Sequence, residues 1–225
     1  REEKREALES LLFVTEKRDG KIKSRKCAMG NKQRTYDGYE KSAGSSPTVT
    51  TKGLILTTAI DAHEGWDIAI IDAGHAFIHA DNDKNILMKL CGKIVELLVQ
   101  LEPTIYRKYV TTCPNREPIL YVRLVEALYG LLRLALLFYK KLRADLEDMG
   151  FEVNPYDPCV ANKMINGSQM TVTWHVDDLK ISHKESDEVT KFITELGKRY
   201  DNDLTVHRGT KVLTLESCQR TPYAA

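Results

Sequence analysis

The chain has 225 residues, 42% of them hydrophobic and 29% charged, with a formal net charge of +1, which suits one globular unit or two small subdomains that share a core. No run approaches the roughly 18 uncharged apolar residues of a membrane helix, and the start, Arg1-Glu2-Glu3-Lys4-Arg5, is too charged for a secretory signal, so an intracellular protein with no membrane partner is expected. Five widely spaced cysteines, Cys27, Cys91, Cys113, Cys159 and Cys218, without a Cys-x-x-Cys pair, indicate neither a disulfide framework nor a zinc module and read as free thiols.

Residues 1–12 read as a short helix. Residues 13–18 and 21–27 flank Asp19-Gly20, a dipeptide suited to the positive φ angles of a type I′ hairpin turn. On the second arm Lys21, Lys23 and Arg25 alternate with Ile22 and Ser24, so the period of a strand predicts the three cations on one face. Lys26 adds to this island: between Glu16 and Arg34 eight Lys or Arg residues stand against two acids, a local charge of +6. Such a run suits phosphate, though it also serves as an ordinary solvated surface. The polar stretch 31–46 reads as a loop. Ser46-Pro47 and the threonines after it predict the start of a helix with an apolar body over 54–62, ended by Gly65. Residues 66–71 then form a buried strand that runs straight into Asp72.

Further on, residues 121–124 predict a short strand, and apolar residues from Leu132 to Met149 fall at helical spacing until Gly150. Asn166-Gly167 predicts a second hairpin between strands at 159–164 and 169–176. Asp177-Asp178 follows directly, before a third strand at 179–182, so both acids are expected in a tight turn between strands. Val189, Phe192, Ile193, Leu196 and Tyr200 mark one face of a last amphipathic helix, with Asp187 and Glu188 well placed in its first turn. The tail from Lys211 to Ala225 has no clear period. The order of elements indicates an α+β fold, an antiparallel sheet with helices packed on one face.

Paired aspartates in a turn are common caps of their own backbone. Here apolar and β-branched residues flank the pair, so the carboxylates sit at the edge of a core, where they repel one another unless a cation neutralises them. Asp72, at the end of another buried strand, is a candidate to converge on the same point. Magnesium suits such a site, because its oxygen shell is completed by water and substrate phosphate. Two such ions support in-line phosphoryl transfer without a side-chain nucleophile. The chain has no Gly-x-Ser-x-Gly, P-loop or His-Glu-x-x-His to offer another chemistry. His75, His79 and His175 lack a further ligand at zinc spacing and are expected to be solvent-facing or capping residues.

These residues resemble those of copia-type retrotransposon reverse transcriptases. His175-Val176-Asp177-Asp178 resembles Tyr-Val-Asp-Asp; Ser46-Pro47-Thr48-Val49 is similar to Ser-Pro-Val-Val; Asp72 with Ala76-Phe77 resembles Asp-x-x-x-Ala-Phe. Ala127-Leu128-Tyr129-Gly130-Leu131 is similar to Ser-Leu-Tyr-Gly-Leu, Tyr156-Asp157-Pro158-Cys159-Val160 to Tyr-Asp-Pro-Cys-Val, and Lys23-Ser24-Arg25 with Gly30 to Lys-Ala-Arg followed by Gly. The resemblance covers about residues 13–209. It implies a reverse-transcriptase-like palm plus a fingers subdomain with the basic hairpin: 1–65 fingers-like, 66–209 palm with an interleaved fingers segment, 210–225 a divergent, irregular tail.

The resemblance further implies an RNA-directed DNA polymerase that uses two Mg2+ (or Mn2+) ions, an RNA template, a DNA primer and dNTPs, beside other parts of a Gag-Pol-like polyprotein, in cytoplasmic virus-like particles or the nucleus. Asp72, Asp177 and Asp178 become the catalytic metal-binding triad, with the Ala73 carbonyl as a further ligand. Phe77 becomes the steric gate against a ribose 2′-hydroxyl, with core packing its alternative. Lys23 and Arg25 become triphosphate contacts, and Tyr129 and Gly130 the segment beneath nucleotide and template base or plain structure; Lys21 and Lys26, as part of the basic island, are expected to contact nucleic acid.

The chain departs from the pattern at His175 for Tyr, Leu132-Arg133 for Lys-Gln and His79-Ala80 for Asn-Gly. After Gly209, residues 211–225 stand where a Tyr-Leu-Gly primer-grip strand is expected, so the chain reads as truncated before primer grip and thumb. Two readings stand: a polymerase domain, and a catalytically dead retroelement remnant that binds nucleic acid through its basic hairpin.

Overall fold

The computed structural model describes residues 4, 6–16, 18, 20–35, 45–74 and 76–208, without the side chains of Thr35 and Ala76. The chain forms two units, Arg1–Ser46 with His75–Leu142, and Pro47–Gly74 with Arg143–Ala225. Of the sequence expectations, most of residues 1–5, Asp19 of the hairpin dipeptide, most of the loop 31–46, His75, Cys218, Gly209 and the tail after it lie outside the described residues.

The first unit is a five-stranded sheet in the order β2-β1-β4-β6-β5. Strand β1 (Leu8–Glu16) takes residues 8–12 of the helix expected over residues 1–12. Leu8, fully buried, pairs in parallel with Met88 of β4 (Asp81–Cys91), and this non-local pairing overrides the local helical pattern. Strands β1 and β2 (Ile22–Ala28) form the expected hairpin, but pairing stops at Glu16↔Ile22. The connection is therefore the five residues 17–21 with Gly20 at φ +78°, not a two-residue turn. The stretch expected as a loop opens with a 3-10 helix, Gly30–Thr35.

Helix α2 (Lys93–Leu101), β5 (Thr111–Thr112) and β6 (Pro118–Glu126) follow; β6 is longer than the strand expected at 121–124. Leu8, Ala28, Met88, Leu90, Val95, Leu120 and Leu131 form this unit's core. Two glycines let backbones touch there. A Cβ on Gly130, at φ +92°, would stand 2.0 Å from the Ala28 carbonyl oxygen, and one on Gly30 2.0 Å from that of Gly130.

The second unit is a six-stranded antiparallel sheet, β11-β3-β10-β9-β8-β7. Helix α1 (Thr51–Glu64) starts where expected: the Thr50 hydroxyl accepts from the Gly53 N–H at 3.0 Å, and Gly65 closes the helix in the left-handed region. Strand β3 (Asp67–Ala73) contains Asp72 rather than ending before it. Helix α3 (Leu134–Asp148) carries the chain across the unit boundary and stops before Gly150, at φ +85°. Strands β7 (Glu152–Val153), β8 (Val160–Ile165), β9 (Ser168–His175) and β10 (Asp178–His183) follow, then α4 (Ser186–Arg199) and β11 (Leu204–Arg208). Asn166 and Gly167 make the expected two-residue turn, both at positive φ.

One face of this sheet is apolar, with Ala69, Ile71, Val172, Trp174, Leu179 and Ile181 all buried. Helix α4 packs against β3 and β10 and buries Val189, Phe192 and Leu196. The other face carries Asp72, Asp178, Lys180, Ser182, Thr173 and Thr171, and α1 reaches it where Asp61 meets Lys180. The antiparallel sheet with helix α4 packed on its apolar face is the α+β arrangement expected, and α1 meets the polar face through that ion pair, where a buried charge needs a partner. Cys159 is buried and Cys27, Cys91 and Cys113 half-buried, all as free thiols. No helix among the described residues is long and apolar enough to cross a membrane.

Candidate active site

Directly opposed residues of antiparallel strands project from the same face with Cβ atoms about 4.5–5.5 Å apart. Asp72 of β3 pairs with Asp178 of β10, and Asp178 pairs on its other side with His175 of β9. The two carboxylates therefore stand side by side on one rung, with the imidazole next in the row. Asp72 is exposed, and Asp177 and Asp178 are half-buried. The tight turn differs from expectation: its central residues are Val176 and Asp177, while Asp178 already belongs to β10. Val176 adopts φ +59°, a left-handed conformation costly for a β-branched residue. The Asp177 carbonyl accepts from the Ala73 N–H at 3.2 Å, which ties the turn to the end of β3.

A fourth acid, Asp203, lies at the same end of β3. Its carbonyl accepts from the Gly74 N–H at 2.8 Å, and its carboxylate stands 2.5 Å from where a Gly74 Cβ would be. The bare backbone of Gly74 makes room for it. Among the described residues no three His, Cys, Asp or Glu side chains are gathered closely enough to enclose a metal ion. What exists is an open pair of opposed carboxylates with a third on the adjoining turn. Like charges directly opposed destabilise a sheet, and an all-oxygen donor set open to solvent suits a hard divalent cation that keeps water in its shell.

In the first unit, Phe77 is buried and meets Tyr129 edge to face at 5.2 Å and Phe138 at 5.8 Å. The Arg25 guanidinium lies 5.2 Å from the centre of the Tyr129 ring. The Tyr129 carbonyl accepts from the Ala28 N–H at 2.7 Å, so β2 and the Tyr129-Gly130 segment are held backbone to backbone. Arg25, Tyr129 and Phe77 thus form one contiguous cluster, beside the close backbone approach at Gly130. Lys23, two residues along β2 from Arg25, shares its face, opposite Thr15. Lys21 precedes the strand and is exposed, whereas Lys26 lies on the other face, opposite Leu12, where burial lowers the pKa of its amine.

Two features that sequence reasoning passed over support the sheet. The Asp157 carboxylate accepts from the Thr50 N–H at 2.9 Å, the Thr50 hydroxyl at 2.8 Å and the Cys159 N–H at 3.0 Å, which anchors the start of α1 to the loop before β8. Asp61 and Lys180 form a buried ion pair. Burial lowers the Lys180 pKa, with Asp61 acting in the opposite sense. The signal for the pair was present in the sequence, since each charge interrupts an apolar run.

A family model described as "Reverse transcriptase (RNA-dependent DNA polymerase)" matches residues 9–222. The match runs past Gly209, so most of the tail expected to depart from the pattern lies within it. The chain is similar to the Transposon Ty1-LR2 and Ty1-ML2 Gag-Pol polyproteins of Saccharomyces cerevisiae, each 26% identical over 200 residues, covering 88% of this chain and 10% of the relative. It therefore spans about a tenth of the length of these curated relatives. Among solved structures it is similar to apo telomerase from Candida tropicalis truncated from its C-terminal domain, at 10% identity over 92% of this chain and 51% of that one, TM-score 0.44. Telomerase from Candida albicans in complex with a TWJ fragment of telomeric RNA is similar at 8% identity over 92% and 44%, TM-score 0.38.

Proposed function

From the premise that this chain belongs to the reverse transcriptase (RNA-dependent DNA polymerase) family, in its copia-type branch, we propose that it joins deoxynucleotides to a primer 3′-hydroxyl on an RNA template. The observation that carries the reading is the rung on which Asp72 opposes Asp178, beside the turn that holds Asp177. In this reading these three carboxylates hold two Mg2+ or Mn2+ ions, and the Ala73 carbonyl is a further ligand. When bound, such ions lower the pKa of the attacking hydroxyl and neutralise charge on the leaving phosphates.

The remaining roles belong to the chain itself. In this reading residues 1–65 are fingers-like and residues 66–209 are the palm with an interleaved fingers segment. Arg25 and Lys23 bind the triphosphate, Arg25 with the planar fork that suits phosphate oxygens. Its stacking on Tyr129 holds the guanidinium in place before substrate arrives. Phe77, fixed between Tyr129 and Phe138, excludes the 2′-hydroxyl of a ribonucleotide. Gly130 supports the segment under the nucleotide, and Lys21 and Lys26 contact nucleic-acid phosphates. Other segments of a Gag-Pol-like polyprotein supply the rest of the grip on template and primer.

The test is extension of a DNA primer on an RNA template with dNTPs and Mg2+. Product is expected from the wild type and loss of at least 100-fold in Asp177→Ala. Absence of product from the wild type, with RNA binding retained, would establish the non-catalytic reading instead.

A further inference from the structure

We propose that Asp61 and Lys180 are a positioning pair that selects the one register of β3 against β10 in which Asp72 stands opposite Asp178. The proposal rests on the metal-site reading above. No turn sets this register, because β3 and β10 are joined through more than a hundred intervening residues. Alternation of apolar and polar side chains rejects a slip of one residue, which would turn each side chain to the other face. It does not reject a slip of two. In one direction such a slip sets Ile71 opposite Ile181 and Ala73 opposite Leu179, pairs of the same apolar kind, with Lys180 opposite Asp72; in the other it sets Ile71 opposite Asp177. The opposed aspartates themselves favour such a slip, since it would separate them.

The ion pair supplies the missing discrimination. Lys180 lies on the face of Asp178, between Ile70 of β3 and Thr173 of β9, and is 3% exposed. Asp61 is 1% exposed and is the one buried side chain of α1, whose Ile55, Leu56 and Ile60 face solvent. The helix is thus docked at Lys180 by a charge, not by an apolar stripe. The same residue joins α1 to β3: the Asp61 carbonyl accepts from the N–H groups of Gly65 and, at 3.0 Å, Trp66, immediately before β3. Asp61 therefore moves with the start of β3 while its carboxylate holds β10. A two-residue slip carries Lys180 about 7 Å along the sheet, beyond reach of Asp61, and leaves the buried Asp61 carboxylate without its partner, even in the direction that sets Lys180 opposite Asp72. Fixing a register is the best-attested use of a buried polar contact, whereas its net contribution to stability is often nil.

The experiment compares the full chain with Asp61→Leu/Lys180→Met, which replaces the pair by apolar groups of similar size. Two quantities are read: backbone NOEs between β3 and β10, and Mn2+ binding by electron paramagnetic resonance. The double variant is expected to fold with an unchanged or higher Tm, to lose the single set of NOEs that defines Asp72↔Asp178, and to bind Mn2+ at least tenfold more weakly. Asp61→Asn, which keeps shape and an acceptor, serves if the double variant fails to fold, with the same direction and a smaller loss. Unchanged NOEs and unchanged Mn2+ affinity in the folded variant overturn the proposal. A wild type that shows the NOEs but binds no Mn2+ overturns the metal reading instead, and the NOEs of the variant then decide on the pair alone.

Discussion

Phe77 is held by two aromatic neighbours, and truncating a buried Phe to Ala costs about 3–5 kcal/mol, so Phe77→Ala tests the fold as much as selectivity. Phe77→Val keeps more of the packing. In an active chain it is expected to raise ribonucleotide over deoxyribonucleotide incorporation at least tenfold, measured as the ratio of kcat/KM values; an unchanged ratio assigns Phe77 to the core alone. At Cys159, burial first and Asp157 second push the thiol up to about 12 from 9.0. A folded pKa above the unfolded one contributes stability that is complete below pH 9 and is lost as pH rises toward 12. Denaturation midpoints across that window are expected to fall in the wild type more steeply than in Cys159→Ala. Asp61, Lys180, Asp157 and Asp203 were all legible as residue types in the sequence. Their partners were not, because each contact joins positions far apart in the chain.

At the scale of elements, the hairpin β1-β2 shows how far local pattern reaches. Its alternating cations placed Lys23 and Arg25 on one face correctly, since a strand's period of two is local. Its length and its first strand were misread, because Leu8 becomes part of a strand only through Met88 of β4. Strands β4 and β11 and helix α2 are likewise absent from the elements expected from sequence, whereas the turn at Asn166-Gly167 matched its dipeptide. If Lys23 and Arg25 meet phosphate, each neutralised phosphate contributes about 0.7–0.9 to the slope of log K against log salt. Lys23→Gln/Arg25→Gln is expected to bind an RNA–DNA primer-template more weakly at low salt and to lower that slope by about 1–2, measured by fluorescence anisotropy; an unchanged slope removes both residues from the interface.

For the whole molecule, the chain spans about a tenth of the Gag-Pol relatives it matches, and most affinity for nucleic acid comes from contacts along the phosphate backbone. A fusion of this chain to the segment that follows the matched region in the Ty1-LR2 Gag-Pol polyprotein is expected to make products several-fold longer in a single binding event than the 225-residue chain, read by primer extension against a trap template. Equal lengths would mean that this chain already contains its full grip on the duplex.

By itself the sequence determined the family, through short motifs whose order along the chain survives even where single letters differ. It also determined the strand that carries Asp72, the helices closed by Gly65 and Gly150 and the hairpin at Asn166-Gly167, because period, cap and turn chemistry act within a few residues. Only the tertiary structure decided that Asp178 sits across from Asp72, that Arg25, Tyr129 and Phe77 cluster, and that Asp61 meets Lys180. Those pairings depend on register and packing between segments tens of residues apart, which no local pattern encodes.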